Sequence, residues 1–132
     1  MRKVVLDTNI LVSAMLTING IPARIIEMAL AGELSVCYNS NILLEYNNVL
    51  YRPQFDFNAK KVQNIISTIT ELGVELMPTA SNFPMTDESD RKFYDLHKAA
   101  NAILITGNIK HFPKESTIIK PADFMVVVLQ PT

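Results

Sequence analysis

The sequence has few of the residues that stabilise disulfide-rich or zinc-binding proteins. It contains one cysteine, Cys37, and two histidines in 132 residues. A single cysteine excludes an internal disulfide framework, and the lack of a Cys/His cluster argues against a structural zinc site. Such cysteine usage is typical of a cytoplasmic protein, and we expect that location here.

Long hydrophobic runs are also missing. No stretch approaches the ~18 uninterrupted apolar residues of a membrane-spanning helix. The basic start of the N-terminal segment MRKVVLDTNILVSAML resembles a signal peptide, but Asp7 and Asn9 interrupt its apolar run. We therefore interpret this segment as a strand followed by a helix, and we expect no membrane association.

The chain has no large excess of charge of either sign. Twelve Lys and Arg residues against thirteen Asp and Glu residues give a net charge of −1. The scattered basic residues do not form the strongly basic surface of a protein that coats nucleic acid by charge alone. A nuclease with an acidic centre can still have a near-neutral total, so net charge does not exclude that function.

Short β-rich runs alternate with segments of helical periodicity. Strands are predicted at residues 3–6, 34–38, 74–78, 102–106 and 117–120. Helices are predicted at about 10–16, 22–31, 40–52, 58–72 and 89–100. The apolar run MVVVL at 125–129 is interpreted as an edge strand or a tail. This alternation predicts an α/β fold, a parallel sheet covered on both faces, in a single domain spanning residues 1–132.

Residues with helix-capping preferences mark several predicted helix ends. Ser40 and Asn58 are expected to be N-caps, and Pro22 suits a first helical turn. Gly32 and Gly73 are expected to end the helices that precede them.

Two acidic residues lie beside predicted buried segments, one after a strand and one on a helix. Asp7 directly follows the first strand, so it is expected at the carboxyl edge of the sheet, where ligands bind in such folds. The alternative is that Asp7 or Thr8 only caps the next helix. Glu45 lies at the edge of the apolar stripe of its helix, where it either faces the crevice, pairs with Arg52 or is solvated.

A third acid, Asp90, lies in the first turn of a predicted helix. The alternative here is purely structural, because Asp87 as N-cap with Asp90 three residues later resembles an acidic capping box. If Asp7, Glu45 and Asp90 converge, their like charges raise one another's pKa, and such clusters usually hold a cation. Oxygen ligands suit Mg²⁺ or Mn²⁺, the metals of phosphodiester hydrolysis.

Four blocks of the sequence together resemble the PIN-domain family, in particular its toxin–antitoxin members. They are VVLDTNILVSAM (4–15), SNILLEYNNVLYRP (40–53), TDESDRKFYDL (86–96) and ILITGNIKHFP (103–113). The blocks occur in the family's order over essentially the whole chain. The resemblance implies a three-layer α/β/α fold with a mainly parallel sheet of about five strands.

The resemblance also implies a function and a site. Active family members are ribonucleases that depend on Mg²⁺ or Mn²⁺, and the match places catalytic metal ligands at Asp7, Glu45 and Asp90. Asn9 and Thr106 match polar positions that support this site.

One position departs from the family pattern. The fourth acidic position of the family falls on Asn108, whose amide oxygen can still bind a hard cation but has no charge, so weaker metal binding is expected. Asp87, one turn before Asp90, is a candidate additional ligand. Arg91 and Lys92 are candidates for contacts with the RNA backbone.

These observations leave three functional hypotheses. The first is a metal-dependent endoribonuclease that acts as a toxin and is inhibited by an antitoxin protein; a homodimer is expected by resemblance. The second is a non-catalytic RNA-binding or protein-interaction module on the same fold, with a weakened metal site. The third is a metal-dependent phosphatase, which would use the same oxygen-rich chemistry on small phosphate esters.

Overall fold

The computed structural model describes residues 2–130, which form five strands and six α-helices. The strands are β1 (Arg2–Leu6), β2 (Leu34–Tyr38), β3 (Val74–Glu75), β4 (Ile103–Ile105) and β5 (Ile118–Ile119). The helices are α1 (Thr8–Leu16), α2 (Ile21–Leu30), α3 (Ser40–Leu50), α4 (Ala59–Leu72), α5 (Arg91–Ala100) and α6 (Pro121–Leu129). All strand pairs are parallel, in the order β3-β2-β1-β4-β5, which confirms the predicted α/β class.

The strand order contains a reversal beside β1. The chain builds β1, β2 and β3 toward one edge of the sheet, and then crosses to place β4 and β5 on the other side of β1. Connections that leave β1 and β4 in opposite directions open a crevice at the carboxyl ends of these strands. Leu6 is in register with Ile105, so both strands end at the same level. Asp7 and Thr106 are therefore the first residues beyond the sheet at this crevice.

Helices cover both faces of the sheet and form the core with it. α5 packs on β1, β2 and β4, whereas α2 and α4 contact β2. Crossovers between parallel strands are right-handed in nearly all proteins, so the reversal of the chain across the sheet before β4 implies that α5 covers the face opposite to α2 and α4. The rings of Tyr46 and Phe93, both fully buried, have centroids 6.5 Å apart and join α3 to α5.

The ends of α4 are as predicted. The side chain of Asn58 accepts a hydrogen bond from the Lys61 amide at 3.1 Å, as an N-cap does. Gly73 ends the helix where it meets β2. A Cβ atom added to Gly73 would lie 2.2 Å from the Val36 carbonyl oxygen, so only glycine permits this close approach.

The predicted N-cap of α3 is wrong by one residue. Asn39, not Ser40, has the extended backbone of an N-cap, and its side chain accepts a hydrogen bond from the Ile42 amide at 3.1 Å. Either residue type can cap, and the decision depends on where β2 ends, because the chain turns into the helix directly after Tyr38.

The prediction of an edge strand or tail at 125–129 is also wrong. This segment belongs to α6, which begins at Pro121, has Asp123 in its first turn, and packs against α2. Proline at the first helical position and an early acid both favour a helix start. Phe124 is fully buried. Burial of this face outweighs the β-preference of the valines, because strand propensity depends strongly on context.

Several further elements differ in their bounds from the predictions. β3 is limited to Val74–Glu75, instead of 74–78, at the edge of the sheet, where Pro78 lacks a backbone N–H for pairing. The helix predicted from Ser89 begins as a 3₁₀ turn, Glu88–Asp90, and continues as α5. Strands β4 and β5 are shorter than predicted by one residue at each end.

Across residues 2–130, no single helix is long and apolar enough to cross a membrane. α1 and α2 reach the necessary length and composition only as a pair, and the pair is bent by 106°.

Candidate functional site

Asp7 lies buried at the end of β1, where side chains from α1 and from the loop after β4 hold its carboxylate. Its Oδ2 atom accepts hydrogen bonds from the Thr106 hydroxyl at 2.8 Å and from the Asn9 amide nitrogen at 3.4 Å. Asp7 occupies the N-cap position of α1, but its side chain makes no capping hydrogen bond. The Thr106 and Asn9 side chains, which are the residues predicted to support the site, therefore hold this buried carboxylate.

The loop after β4 is bonded to the same group of residues. The Gly107 amide donates to the Asn9 side-chain oxygen at 3.1 Å, and the Asn108 amide donates to the Thr106 hydroxyl at 2.9 Å. A chain of hydrogen bonds thus runs from the backbone of Asn108 through Thr106 to Asp7. The side chain of Asn108 is exposed. Its predicted part as a metal ligand stays a prediction.

Glu45 reaches the crevice from α3, half-buried at the edge of the apolar face as predicted. Its Oε2 atom accepts a hydrogen bond from the Thr8 hydroxyl, and its Oε1 atom lies 2.7 Å from the Lys92 ammonium nitrogen. The alternatives of pairing with Arg52 or full solvation are therefore wrong. Helices α1 and α5 both contribute to the surroundings of this carboxylate.

Tyr46, the next residue of α3, fixes the helix to the end of β1. Its buried hydroxyl donates to the Leu6 carbonyl oxygen at 2.5 Å. Because Leu6 precedes Asp7 and Tyr46 follows Glu45, this bond sets the distance between the two acid-bearing elements. Periodicity predicted that Tyr46 is buried, but no sequence signal pairs its hydroxyl with a carbonyl forty residues away.

Asp90 is the most perturbed acid of the crevice. Its pKa is raised from 3.8 to about 6, first by burial and then by the negative charges of Asp7, Asp87 and Glu45, with His111 opposing them. Its Oδ2 atom is buried and has no hydrogen-bond partner within residues 2–130. The imidazole Nδ1 of His111 lies 3.7 Å from that oxygen.

The acids influence one another across the crevice. Burial raises the pKa of Asp7 above its usual value, and the negative charge of Glu45 raises it further, although the Thr106 hydrogen bond acts in the opposite direction. Repulsion from both Asp7 and Glu45 also acts on Asp90. The fold therefore brings the three predicted acids close enough for their charges to interact.

Asp87 has a structural contact that sequence reasoning anticipated. It is exposed, and its Oδ1 accepts hydrogen bonds from the Ser89 amide at 2.9 Å and the Ser89 hydroxyl at 2.8 Å. These bonds lower the pKa of Asp87. Asp87 thus caps the 3₁₀ turn, but the side chain of Asp90 makes no reciprocal capping bond.

The two predicted RNA-contacting residues already have intramolecular partners. The Arg91 guanidinium donates to the Glu88 carboxylate at 2.7 and 2.8 Å and to the Ser81 carbonyl at 2.9 Å. Lys92 pairs with Glu45 and also donates to the Ser89 carbonyl. A contact between either residue and RNA stays a prediction.

The donor chemistry of the crevice fits a hard divalent cation, but the side chains do not form a closed ligand set. Within residues 2–130, no three His, Cys, Asp or Glu side chains are arranged to hold a metal ion. Both Glu45 oxygens also have a partner, since Oε2 accepts a hydrogen bond from the Thr8 hydroxyl and Oε1 lies beside the Lys92 ammonium. The donors fit a cation in other respects, since one of the three mutually repelling carboxylates, Asp90, has a buried oxygen with no hydrogen-bond partner among residues 2–130.

A parallel α/β sheet with acidic side chains at its topological switch point defines the general class of this protein. A family model described as PIN domain matches residues 3–110, and the chain belongs to this family. PIN domains are generally nucleases, and PIN-domain nucleases typically use divalent metals. The chain is also similar to the uncharacterized protein MJ1680 of Methanocaldococcus jannaschii, with 28% identity over 109 residues. The match covers 80% of this chain and 70% of that relative.

Proposed function

We propose that this protein is an endoribonuclease that hydrolyses RNA phosphodiester bonds with the help of Mg²⁺ or Mn²⁺. Membership of the PIN-domain family supports a nuclease in general. The observation that carries the proposal is Asp90, whose buried Oδ2 has no hydrogen-bond partner among the described residues and whose pKa is raised to about 6. A buried, repelled carboxylate of this kind destabilises the fold unless a cation compensates its charge.

Asp7, Glu45 and Asp90 are the residues that would hold the metal, with Asp87 and Asn108 as further candidates. A bound divalent cation would supply a water molecule of lowered pKa and a counter-charge for the scissile phosphate. Thr106 and Asn9 keep the Asp7 carboxylate oriented toward the crevice. Tyr46 keeps α3, and with it Glu45, at a fixed distance from Asp7.

Basic groups at the rim of the crevice would contact the RNA backbone. Lys110 and His111 lie exposed in the 3₁₀ turn after Asn108. Arg91 and Lys92 follow Asp90 directly, but each would first have to exchange an internal partner for a phosphate. Phosphate contacts of this type position a nucleic acid without reading its sequence.

The test is RNA cleavage by the Asp7→Asn variant in Mn²⁺. Asparagine has the shape of aspartate and can still accept the Thr106 hydrogen bond, but it removes the charge of a ligand. We expect cleavage to fall by more than about 100-fold, because even the loss of an outer partner of a metal ligand costs 10–100-fold. Asp123→Asn, on the exposed first turn of α6, is the matched control and should cleave like wild type. Wild-type cleavage by Asp7→Asn, in a folded protein, would refute the assignment.

A second candidate function is a non-catalytic RNA-binding or protein-interaction module. It is favoured by the lack of a closed ligand set in residues 2–130 and by the uncharged residue at position 108. Calorimetric titration separates the two functions. Binding of Mg²⁺ or Mn²⁺ at millimolar concentrations or below supports the nuclease, and no binding supports the module.

We further propose that the nuclease is the toxin of a toxin–antitoxin pair, as the sequence resemblance implies. A small protein encoded beside this gene should then bind the chain and block RNA cleavage. Co-expression followed by a cleavage assay of the purified complex tests this role. A neighbouring product that neither binds nor inhibits would leave the nuclease proposal intact and remove the toxin role.

A further inference from the structure

We infer that the Lys92 ammonium is a built-in counter-cation for the acidic crevice, and that it competes with a divalent metal ion for Glu45. The inference rests on the proposed metal site and concerns how that site is regulated. Lys92 Nζ lies 2.7 Å from Glu45 Oε1, and both side chains are mostly buried, with 21% and 28% of their surfaces exposed. The pair is therefore only weakly screened by solvent compared with a surface salt bridge.

The position of Lys92 is set by its own helix. Its Nζ also donates to the Ser89 carbonyl, one turn earlier, and lies 5.2 Å from the centre of the Phe93 ring. The Phe93 ring is fully buried. Two contacts besides Glu45 thus hold the ammonium beside the crevice, which a freely rotating surface lysine would lack.

Glu45 is also the carboxylate whose contacts oppose metal binding. Its two oxygens are taken by Thr8 and Lys92, whereas Asp90 Oδ2 has no hydrogen-bond partner in the part of the chain that the structure describes. A divalent ion bound at Glu45 would lie close to the Lys92 ammonium, and repulsion between the two positive charges favours displacement of the lysine. Lys92 also lines a surface pocket with Asn41, Met77 and Arg91, which provides open space beside its side chain.

Lys98 provides a matched control on the same helix. Its Nζ pairs with Glu115 Oε1 at 2.9 Å, so both lysines of α5 form an ion pair with a glutamate from another element. Glu115 accepts a second hydrogen bond, from the Tyr94 hydroxyl at 2.5 Å, and none of its described contacts involves Asp7, Glu45 or Asp90. Removing the charge of Lys98 should therefore have no effect on a metal in the crevice.

The first experiment measures Mn²⁺ affinity by calorimetry for the wild type, Lys92→Met, Lys92→Arg and Lys98→Met. Methionine keeps the apolar stem over Phe93 but removes the competing charge. We expect Lys92→Met to bind Mn²⁺ at least about fivefold more tightly than wild type, within the usual range of coupling between competing ligands. Lys98→Met should bind like wild type, and Lys92→Arg, which keeps the charge, should bind no more tightly.

The second experiment uses the wild-type chain, so it does not depend on how a variant folds. Amine acylation followed by mass spectrometry reports the accessibility of each lysine. Saturating Mn²⁺ should increase the modification of Lys92, because its ammonium leaves Glu45, and should leave that of Lys98 unchanged.

The outcomes separate this inference from the proposed function. Mn²⁺ binding by the wild type with no gain in Lys92→Met, or with unchanged modification of Lys92, would overturn the inference and leave the metal site standing. Failure of all four proteins to bind Mn²⁺ at millimolar concentration would overturn the metal site itself, and the inference with it.

Discussion

Replacing Asp90 by asparagine should make the metal-free protein more stable at neutral pH. The pKa of Asp90 is raised from 3.8 to about 6, so the folded chain binds this proton more tightly than the unfolded chain does. Binding of this proton therefore stabilises the folded chain. This contribution to the free energy of unfolding is complete below about pH 4, decreases as the pH rises, and is lost above about pH 6. At pH 7 both states are ionised, and only the folded state has the buried, repelled charge. Asparagine removes that charge with little change in shape.

The magnitude follows from the size of the shift. One pKa unit corresponds to about 1.4 kcal/mol, so the shift of Asp90 sets an upper limit of about 3 kcal/mol. The side chain is 14% exposed at an open crevice, where solvent reduces such interactions, so we expect a gain of about 1–2 kcal/mol for Asp90→Asn. The gain should disappear at pH 4, where the wild-type carboxyl group is protonated in the folded chain.

Urea unfolding in the presence of EDTA, at pH 7 and at pH 4, measures this difference. For a slope of about 2 kcal/mol per molar urea, the midpoint at pH 7 should rise by roughly 0.5–1 M. Asp123→Asn is the control. It removes an exposed acid from the first turn of α6 and should lose about 0.3–1 kcal/mol, because that acid interacts favourably with the helix dipole. A variant Asp90→Asn that is no more stable than wild type at pH 7 would refute the view that this carboxylate is electrostatically strained.

Two further changes test the framework and the ligand set of the crevice. Tyr46→Phe removes the buried hydrogen bond to the Leu6 carbonyl and should lower the free energy of unfolding in urea by about 1–3 kcal/mol. The control Tyr51→Phe, at a half-exposed side chain, should lower it by less than about 0.5 kcal/mol. Equal losses in the two variants would contradict the assigned hydrogen bond. Asn108→Asp places an acid where the sequence resemblance puts the fourth acidic position of the family, and it should tighten Mn²⁺ binding in calorimetry. Unchanged or weaker binding would mean that this side chain does not face the metal.

Much of the secondary structure could be predicted because local signals and tertiary packing agree. The buried strand LSVCY, residues 34–38, is β-rich throughout, and all five of its residues are buried. In α4, helical spacing of isoleucines, an Asn58 cap and a Gly73 stop all indicate the same element. The prediction from local sequence was wrong where strand propensity and tertiary packing favour different elements. The valines of α6 favour a strand, but the segment packs as a helix because Phe124 is buried against the core.

Some residues of the candidate site could be located from the sequence, but the contacts between them could not. Asp7 could be located from its position after a strand, since parallel strands end at one edge of the sheet, whereas Asn9 and Thr106 followed from the resemblance to the PIN-domain family. The Lys92–Glu45 ion pair, the Thr8–Glu45 hydrogen bond and the Tyr46–Leu6 bond could not be predicted. These contacts join residues 37 to 47 positions apart, and their geometry depends on how α1, α3 and α5 pack around the end of β1.

The amino-acid sequence by itself determined which chemistry is available to this protein. The order of strands and helices, the acids after them, and an amide at position 108 are properties of the chain, because periodicity, capping and side-chain type act locally. Tertiary structure alone decided what these groups do to one another. The crossover between β3 and β4 forms the crevice, burial leaves one oxygen of Asp90 without a partner among the described residues, and packing of α5 brings a lysine to Glu45. Electrostatic coupling depends on distance and burial, and both are set only when the elements pack together.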